Sequence, residues 1–230
     1  MPNRMKSLAA LLALLVPVFV NAGCLVKEST STLCLEPDGS VRWVVLERDI
    51  HATGDTPADR QREEEQFMEA VAAGTHPVAL AFRSLGATDV TTQMVAAEWP
   101  FAVQTEAQFP DIARVWQDYF DRIGIQARST LQHAGDRTTW TLIVDMPERR
   151  EGPEVVADAD DLESLWPGDA PPPFMMRHGQ FVDAVGFDIS DDGRVARGKD
   201  LSDRDWDKEP RLVLSLSWVA AEAVTSRSPR

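Results

Sequence analysis

Two cysteines and four histidines are the residues of this 230-residue sequence best suited to chemistry. Cys24 and Cys34 form an even count, which in an oxidising compartment reads as a disulfide. Closing that loop would stabilise by about 2.5–3 kcal/mol in the chain-entropy model. His51, His76, His133 and His178 are scattered, with no pair at the helical or loop spacing of a metal site, and the cysteines do not complete a zinc set. Two acidic stretches invite a calcium reading. Asp158-Ala159-Asp160-Asp161-Leu162-Glu163 lacks the mid-loop glycine of an EF-hand, and Asp188 with Asp191-Asp192-Gly193 has the wrong spacing, so both read as solvated turns. The sequence has no Gly-x-Ser-x-Gly elbow, Gly-rich phosphate loop or Cys-x-x-Cys pair. A triad can still assemble from distant residues. The strongest histidine for such a site, His178 beside Gly179, reads as an ordinary surface residue. No catalytic, cofactor-binding or metal residue is therefore expected, and no cofactor.

The cysteines take their meaning from what precedes them. Arg4 and Lys6 give a short positive start, Leu8 to Val20 form an apolar run interrupted by Pro17, and the small residues Ala22 and Gly23 follow. This is the layout of a secretory signal peptide over residues 1–23. The run is at the short end for a membrane span, where about 20 apolar residues are needed, and Pro17 weakens it further as a permanent helix. Cleavage after Ala22 would free Gly23; cleavage after Gly23 would free Cys24.

The run Asn21-Ala22-Gly23-Cys24 resembles the lipobox of bacterial lipoproteins, departing from it at Asn21, where that family prefers an aliphatic residue. The resemblance implies a diacylglyceryl group on the Cys24 sulfur, an acylated amine, and residence in the cell envelope on the periplasmic or extracellular side of a membrane. Each buried methylene contributes about 0.8 kcal/mol, so two or three acyl chains hold far more firmly than one. A thioether sulfur cannot also pair, so lipidation and the Cys24–Cys34 disulfide exclude one another. Under the anchor reading Cys34 is a lone small apolar residue; under the disulfide reading it staples the N-terminus of a soluble periplasmic protein to its first strand.

The formal net charge is −14 and becomes more negative once Arg4 and Lys6 leave with the leader. With no Lys or Arg cluster anywhere, nucleic acid is excluded as a partner. An anionic membrane would repel the body as well, which favours a covalent anchor over electrostatic docking.

The elements that must position these residues follow in order. Ser29 to Leu35, the turn Glu36-Pro37-Asp38-Gly39-Ser40 and Val41 to Leu46 read as a hairpin. Its second strand is apolar on both faces, which predicts a central strand covered from both sides. Thr56-Pro57-Ala58-Asp59 starts a helix that runs to Ala73 and stops at Gly74. Phe67, Met68, Val71 and Ala72 form its inward stripe and Glu63-Glu64-Glu65 its solvated face. A second helix spans Pro77 to Leu85, two strands lie within 88–109, and Pro110 to Ile123 is strongly amphipathic. That helix is expected to cover a hairpin at 126–146, where Trp140, Leu142, Val144 and Met146 alternate with polar residues.

Asp38-Gly39-Ser40-Val41-Arg42-Trp43 echoes Gly135-Asp136-Arg137-Thr138-Thr139-Trp140, so 24–146 reads as an α+β domain of two hairpin-plus-helix units. An acidic, proline-rich loop or linker over 147–177 follows, then C-terminal strands over 178–220 that pack on the main sheet, and a flexible tail at 221–230. The expected class is α+β, a largely antiparallel sheet of β-hairpins with helices packed on one face. The expected role is binding or structural, with the membrane as partner through Cys24 and another envelope protein or an apolar small molecule as further partners. The alternatives are the soluble disulfide form and an envelope hydrolase with an unrecognised site.

Overall fold

The first turn shows how local chemistry sets register. A computed structural model describes residues 25–145, 170–205 and 208–221. In it Gly39 takes φ 92°, the conformation that favours glycine, and its amide donates to the Glu36 carbonyl at 3.0 Å. Asp38 accepts from the Ser40 amide at 2.9 Å. The turn joins β1 (Leu25–Leu35) to β2 (Val41–Ala52) in antiparallel register, Leu35 opposite Val41.

Next come α1 (Pro57–Ala73), α2 (Pro77–Ser84), β3 (Asp89–Ala96), β4 (Phe101–Phe109), α3 (Ile112–Arg122), β5 (Gln126–Ala134) and β6 (Arg137–Asp145). The described C-terminal part adds β7 (Phe174–Met176), β8 (Gly179–Val185), β9 (Phe187–Ile189), β10 (Val195–Gly198) and β11 (Arg211–Ala220). The class is α+β, with two mainly antiparallel sheets and three helices among the described residues. One sheet runs β3-β4-β2-β1-β7-β10-β9 and the other β5-β6-β11-β8.

Helix ends follow the sequence signals closely. Thr56 caps α1 through its hydroxyl, accepting from the Asp59 amide at 3.1 Å, and Gly74 ends the helix at φ 68°. Asp111 caps α3, accepting from the Ala113 amide at 2.8 Å. On α3 the residues Ile112, Val115, Trp116, Tyr119 and Phe120 are all buried, and the helix lies against β5 and β6.

A line of aromatic rings joins the layers. Trp43 of β2 stands 5.6 Å from Phe82 of α2 and 5.2 Å from Trp116 of α3, between ring centroids. Trp116 continues to Trp140 of β6 at 6.1 Å, Trp140 to Phe174 of β7 at 5.4 Å, and Phe174 to Phe187 of β9 at 5.5 Å. The line leaves one sheet through a helix, crosses the other, and returns. Three of the buried indole N–H groups donate to an acceptor: Trp43 to Ser31, Trp140 to Ser129, and Trp218 to the Pro37 carbonyl.

Several expectations are corrected. β2 is central, between β1 and β4, but only alternate residues are buried, Val41, Trp43, Val45 and Glu47 and then Ile50 and Ala52, while Val44 and Leu46 are half-exposed. On α1, Phe67 and Val71 face inward, whereas Ala72 is exposed and Glu63 is buried. Within the stretch read as linker, Phe174–Met176 forms β7 and pairs parallel with the end of β1; the rest of that stretch, like Met146, lies mainly outside the described residues. The chain from Phe181 to Ile189 is extended on both sides of Gly186 but divides there between two strands. On one side β8 pairs with β11; on the other β9 pairs with β10 in the larger sheet.

Gly186 makes that crossing at φ 80°, and a Cβ there would collide with the Leu214 side chain. Gly124 has a similar φ of 70° with nothing within 4 Å of the added carbon. Denaturant unfolding should therefore separate the two: Gly124→Ala costs about 1–2 kcal/mol from backbone strain, and Gly186→Ala adds about 1–3 kcal/mol of overpacking to that strain.

Candidate functional site

The alternation of β2 that buries Val41, Trp43 and Val45 also carries Glu47 to the interior, where it is fully buried. A bulge follows. Glu47 lies opposite Val103 and Ile50 opposite Phe101, so Arg48 and Asp49 are squeezed out of register, with Asp49 at φ 52°. The bulge keeps Ile50 and Ala52 on the buried face. The same extra residue of β2 shifts its register with β1 between Val26 and Glu28, and Lys27, the β1 residue between them, makes an ion pair with Glu47.

The third member comes from the α1–α2 link. Gly74 turns the chain out of α1, and Pro77 opens α2 with a fixed dihedral. Between them His76 is fully buried, with Nε2 at 2.9 Å from the second oxygen of Glu47. Phe67 stands edge-on to its ring at 5.3 Å. Ile50, Phe67, Val71 and Val103 form the apolar wall. Lys27 reaches in from a partly exposed position, its stem covering apolar surface while its ammonium meets the carboxylate.

The electrostatics follow from this geometry. Burial opposes charge on Glu47, but the bonds to His76 and Lys27 outweigh it and hold the carboxyl below its ordinary value of 4.5. Glu63 of α1 is buried as well, and its Oε2 has no hydrogen-bond partner among the described residues; the Nδ1 of His76 has none either.

A histidine beside a carboxylate is the base-and-orienter half of a hydrolytic triad. The arrangement can hold charge and fix three segments to one another. Sequence spacing missed it because Lys27, Glu47 and His76 are far apart in the chain. A usable signal existed: a carboxylate at the parity of Val41, Trp43 and Val45 has to find a cation.

The residues singled out from the sequence lie elsewhere. His178 is exposed in the turn between β7 and β8. His133 is exposed on β5 and bonds Thr138 at 3.0 Å, and the half-exposed ring of His51 bonds its own strand at the Asp49 carbonyl. Asp192 is used within its turn, accepting from Ser190 and from the Arg194 amide, and these bonds hold its carboxyl low. Asp188 pairs with Lys199 at 3.4 Å. Cys34 is a buried free thiol. Cys24 and the stretch Asp158 to Glu163 lie outside the described residues.

A cleft of about 440 Å³ lies between α3 and the end of α2, lined by Ser84, Gly86, Arg114, Asp118, Asp121 and Arg122. Its charges are already engaged: Arg114 with Asp118, Arg122 with the Ser84 carbonyl, Asp121 with Gln117. Among the described residues no helix is long and apolar enough to cross a membrane.

Comparison with known proteins adds little. No protein-family model matches the chain, and no curated protein matches it. Among solved structures it is similar to the folded domain of the Mycobacterium tuberculosis LppM protein, at 10% identity and a TM-score of 0.35 over 84% of this chain and 90% of that one. It is also similar to the Fcho1 Mu homology domain of Danio rerio with bound Eps15 peptide, at 7% identity and a TM-score of 0.25 over 85% and 77%. Overlaps of this size carry no argument about this chain.

The buried cluster makes a prediction about acid. Because the folded Glu47 carboxyl sits below its ordinary value, its contribution is complete above about pH 4.5 and is lost as pH falls through the folded value. Glu47→Gln should cost about 3 kcal/mol at neutral pH by stranding the buried partners, and should flatten the acid limb of a stability-against-pH curve. Replacing all three groups at once, Lys27→Met with Glu47→Leu and His76→Phe, should restore most of that loss in the same unfolding assay.

Proposed function

We propose that this chain is an exported cell-envelope protein, held on the periplasmic or extracellular face of a membrane by acyl chains on Cys24, with a binding or structural role. The observation that carries the reading is the join between leader and fold. Cys24 ends an apolar run and a small-residue pair, and the next residue, Leu25, is already the first of β1. The body would then stand directly on its anchor, with no tether.

The course of β1 weighs against the disulfide alternative. The strand runs unbroken from Leu25 to Leu35, so at about 3.3 Å per residue its Leu25 and Cys34 positions are roughly 30 Å apart. Cys24 is one peptide, about 3.8 Å, from Leu25. A disulfide needs Cα atoms within about 7 Å, so pairing Cys24 with Cys34 would require β1 to unravel. Burial of Cys34 suits the role of a small apolar residue.

The partner proposed besides the membrane is another envelope protein or an apolar small molecule. In the same reading the helices cover one face of the antiparallel sheets, a placement supported by Trp43, whose ring meets both Phe82 of α2 and Trp116 of α3.

Cell fractionation with intact mass tests the anchor. The wild-type chain should sediment with membranes and carry a lipid-sized mass increment, and Cys24→Ser should lose both. A Cys24→Ser chain that still fractionates with membranes unchanged would overturn the reading. Alkylation of the unfolded chain without reductant should label Cys34; a disulfide would leave it unlabelled.

A further inference from the structure

We propose that the end of the seven-stranded sheet at which β1 begins is a bilayer-contact surface, with Trp99, Val95 and Val26 entering the membrane interface beside Cys24; this rests on the anchor reading above. Strand register brings these residues to one end. Val26 of β1 lies opposite His51 of β2, and the neighbouring Ile50 lies opposite Phe101, the first residue of β4. The turn at 97–100 that joins β3 to β4 therefore projects from the same end, and Trp99 is in it. Val95 is the bulged residue of β3, between Met94 and Ala96. Across β3, β4, β2 and β1 the row spans about 14 Å at the ordinary strand spacing.

All three side chains stand in solvent, Trp99 at 66%, Val95 at 57% and Val26 at 46%. Each of the four other described tryptophans is fully buried, so Trp99 is the exception among the described residues. An indole left outside, apolar in its rings and polar at its N–H, is suited to the boundary between acyl chains and headgroups. The remaining exposed aliphatic side chains, such as Leu80, Met175 and Val213, lie on α2, β7 and β11.

The occupant is fixed by where the preceding chain ends. With acyl chains on Cys24, Leu25 is held within one residue of the bilayer, and the end of the sheet that contains Leu25 is the part of the body closest to lipid. Some of the charges there are paired, and the remainder are acidic. Lys27 is engaged by Glu47, and Glu28 pairs with Arg48 at 3.7 Å; Asp49, Asp55 and Glu98 are exposed. Contact through apolar and aromatic groups on a neutral lipid surface suits that balance better than attraction to anionic headgroups.

The test reads tryptophan emission from the acylated full chain in phosphatidylcholine vesicles whose lipids are brominated near the top of the acyl chains. Intact mass of the same sample comes first. Acylated wild-type protein should be quenched by the brominated lipid, and Trp99→Phe, conservative at an exposed position, should lose most of that quenching with its melting curve unchanged. Val95→Asp should reduce the quenching by setting a charge at the contact. If the mass shows lipid but quenching is absent, or survives in Trp99→Phe, the contact surface is overturned while the anchor stands. A mass without lipid overturns both.

Discussion

The burial of Trp43 on a central strand is the constraint from which the rest of the architecture follows. An indole at full burial needs walls on every side, and they come from three directions: Phe82 of α2, Phe109 of β4 and Trp116 of α3. Trp116 needs its own cover and finds it in Trp140, so the second sheet is drawn against the same core. A large-to-small change at such a position costs about 3–5 kcal/mol, a large share of a stability of about 5–15 kcal/mol. The two sheets are therefore not independent layers.

The same strand parity that buries Trp43 also buries Glu47, and the fold meets the cost of a charge in the interior with the Lys27 ammonium and a ring nitrogen of His76. An isolated carboxylate there would be strongly unfavourable, and a paired one is at best close to neutral against an apolar replacement. What the cluster provides is definition of geometry. It connects β1, β2 and the α1–α2 link through one side chain, at the place where β2 bulges against both of its neighbours. An apolar contact would tolerate sliding by a residue, whereas an ion pair with two fixed partners does not.

Features encoded by adjacent residues were legible in the sequence. The Pro37-Asp38-Gly39 turn, the Thr56 cap, the Gly74 stop and the apolar stripe of α3 each arise from neighbours within a few positions, and each forms as read. Features set by distant pairing were not. Glu63 sits in a run of three glutamates and looks solvated, but α1 rolls it against the chain near Gly54. Val44 and Leu46 hid the parity of β2 because apolar residues also occupy the half-exposed face of a central strand. The division at Gly186 depends on which strand lies beside β8 and which beside β9, and no local pattern records that. Of the site, His76 was visible only as one of four scattered histidines, since its partners come from two strands that adjoin only after folding.

Charge and anchor are then two sides of one physical problem. A body of formal charge −14 is repelled by an anionic leaflet over a Debye length of about 8 Å at physiological salt. Two arrangements reduce that repulsion without a basic patch: bonding the chain to lipid, and turning toward the membrane an end where apolar side chains stand in solvent and part of the charge is paired. The end near Leu25 holds the Lys27–Glu47 and Arg48–Glu28 pairs. The regular alternation of β1, which turns Lys27 inward where β2 bulges beside it, bears on both halves of the problem. Lys27 compensates the buried carboxylate, and Val26 rather than an ammonium is exposed at the start of β1.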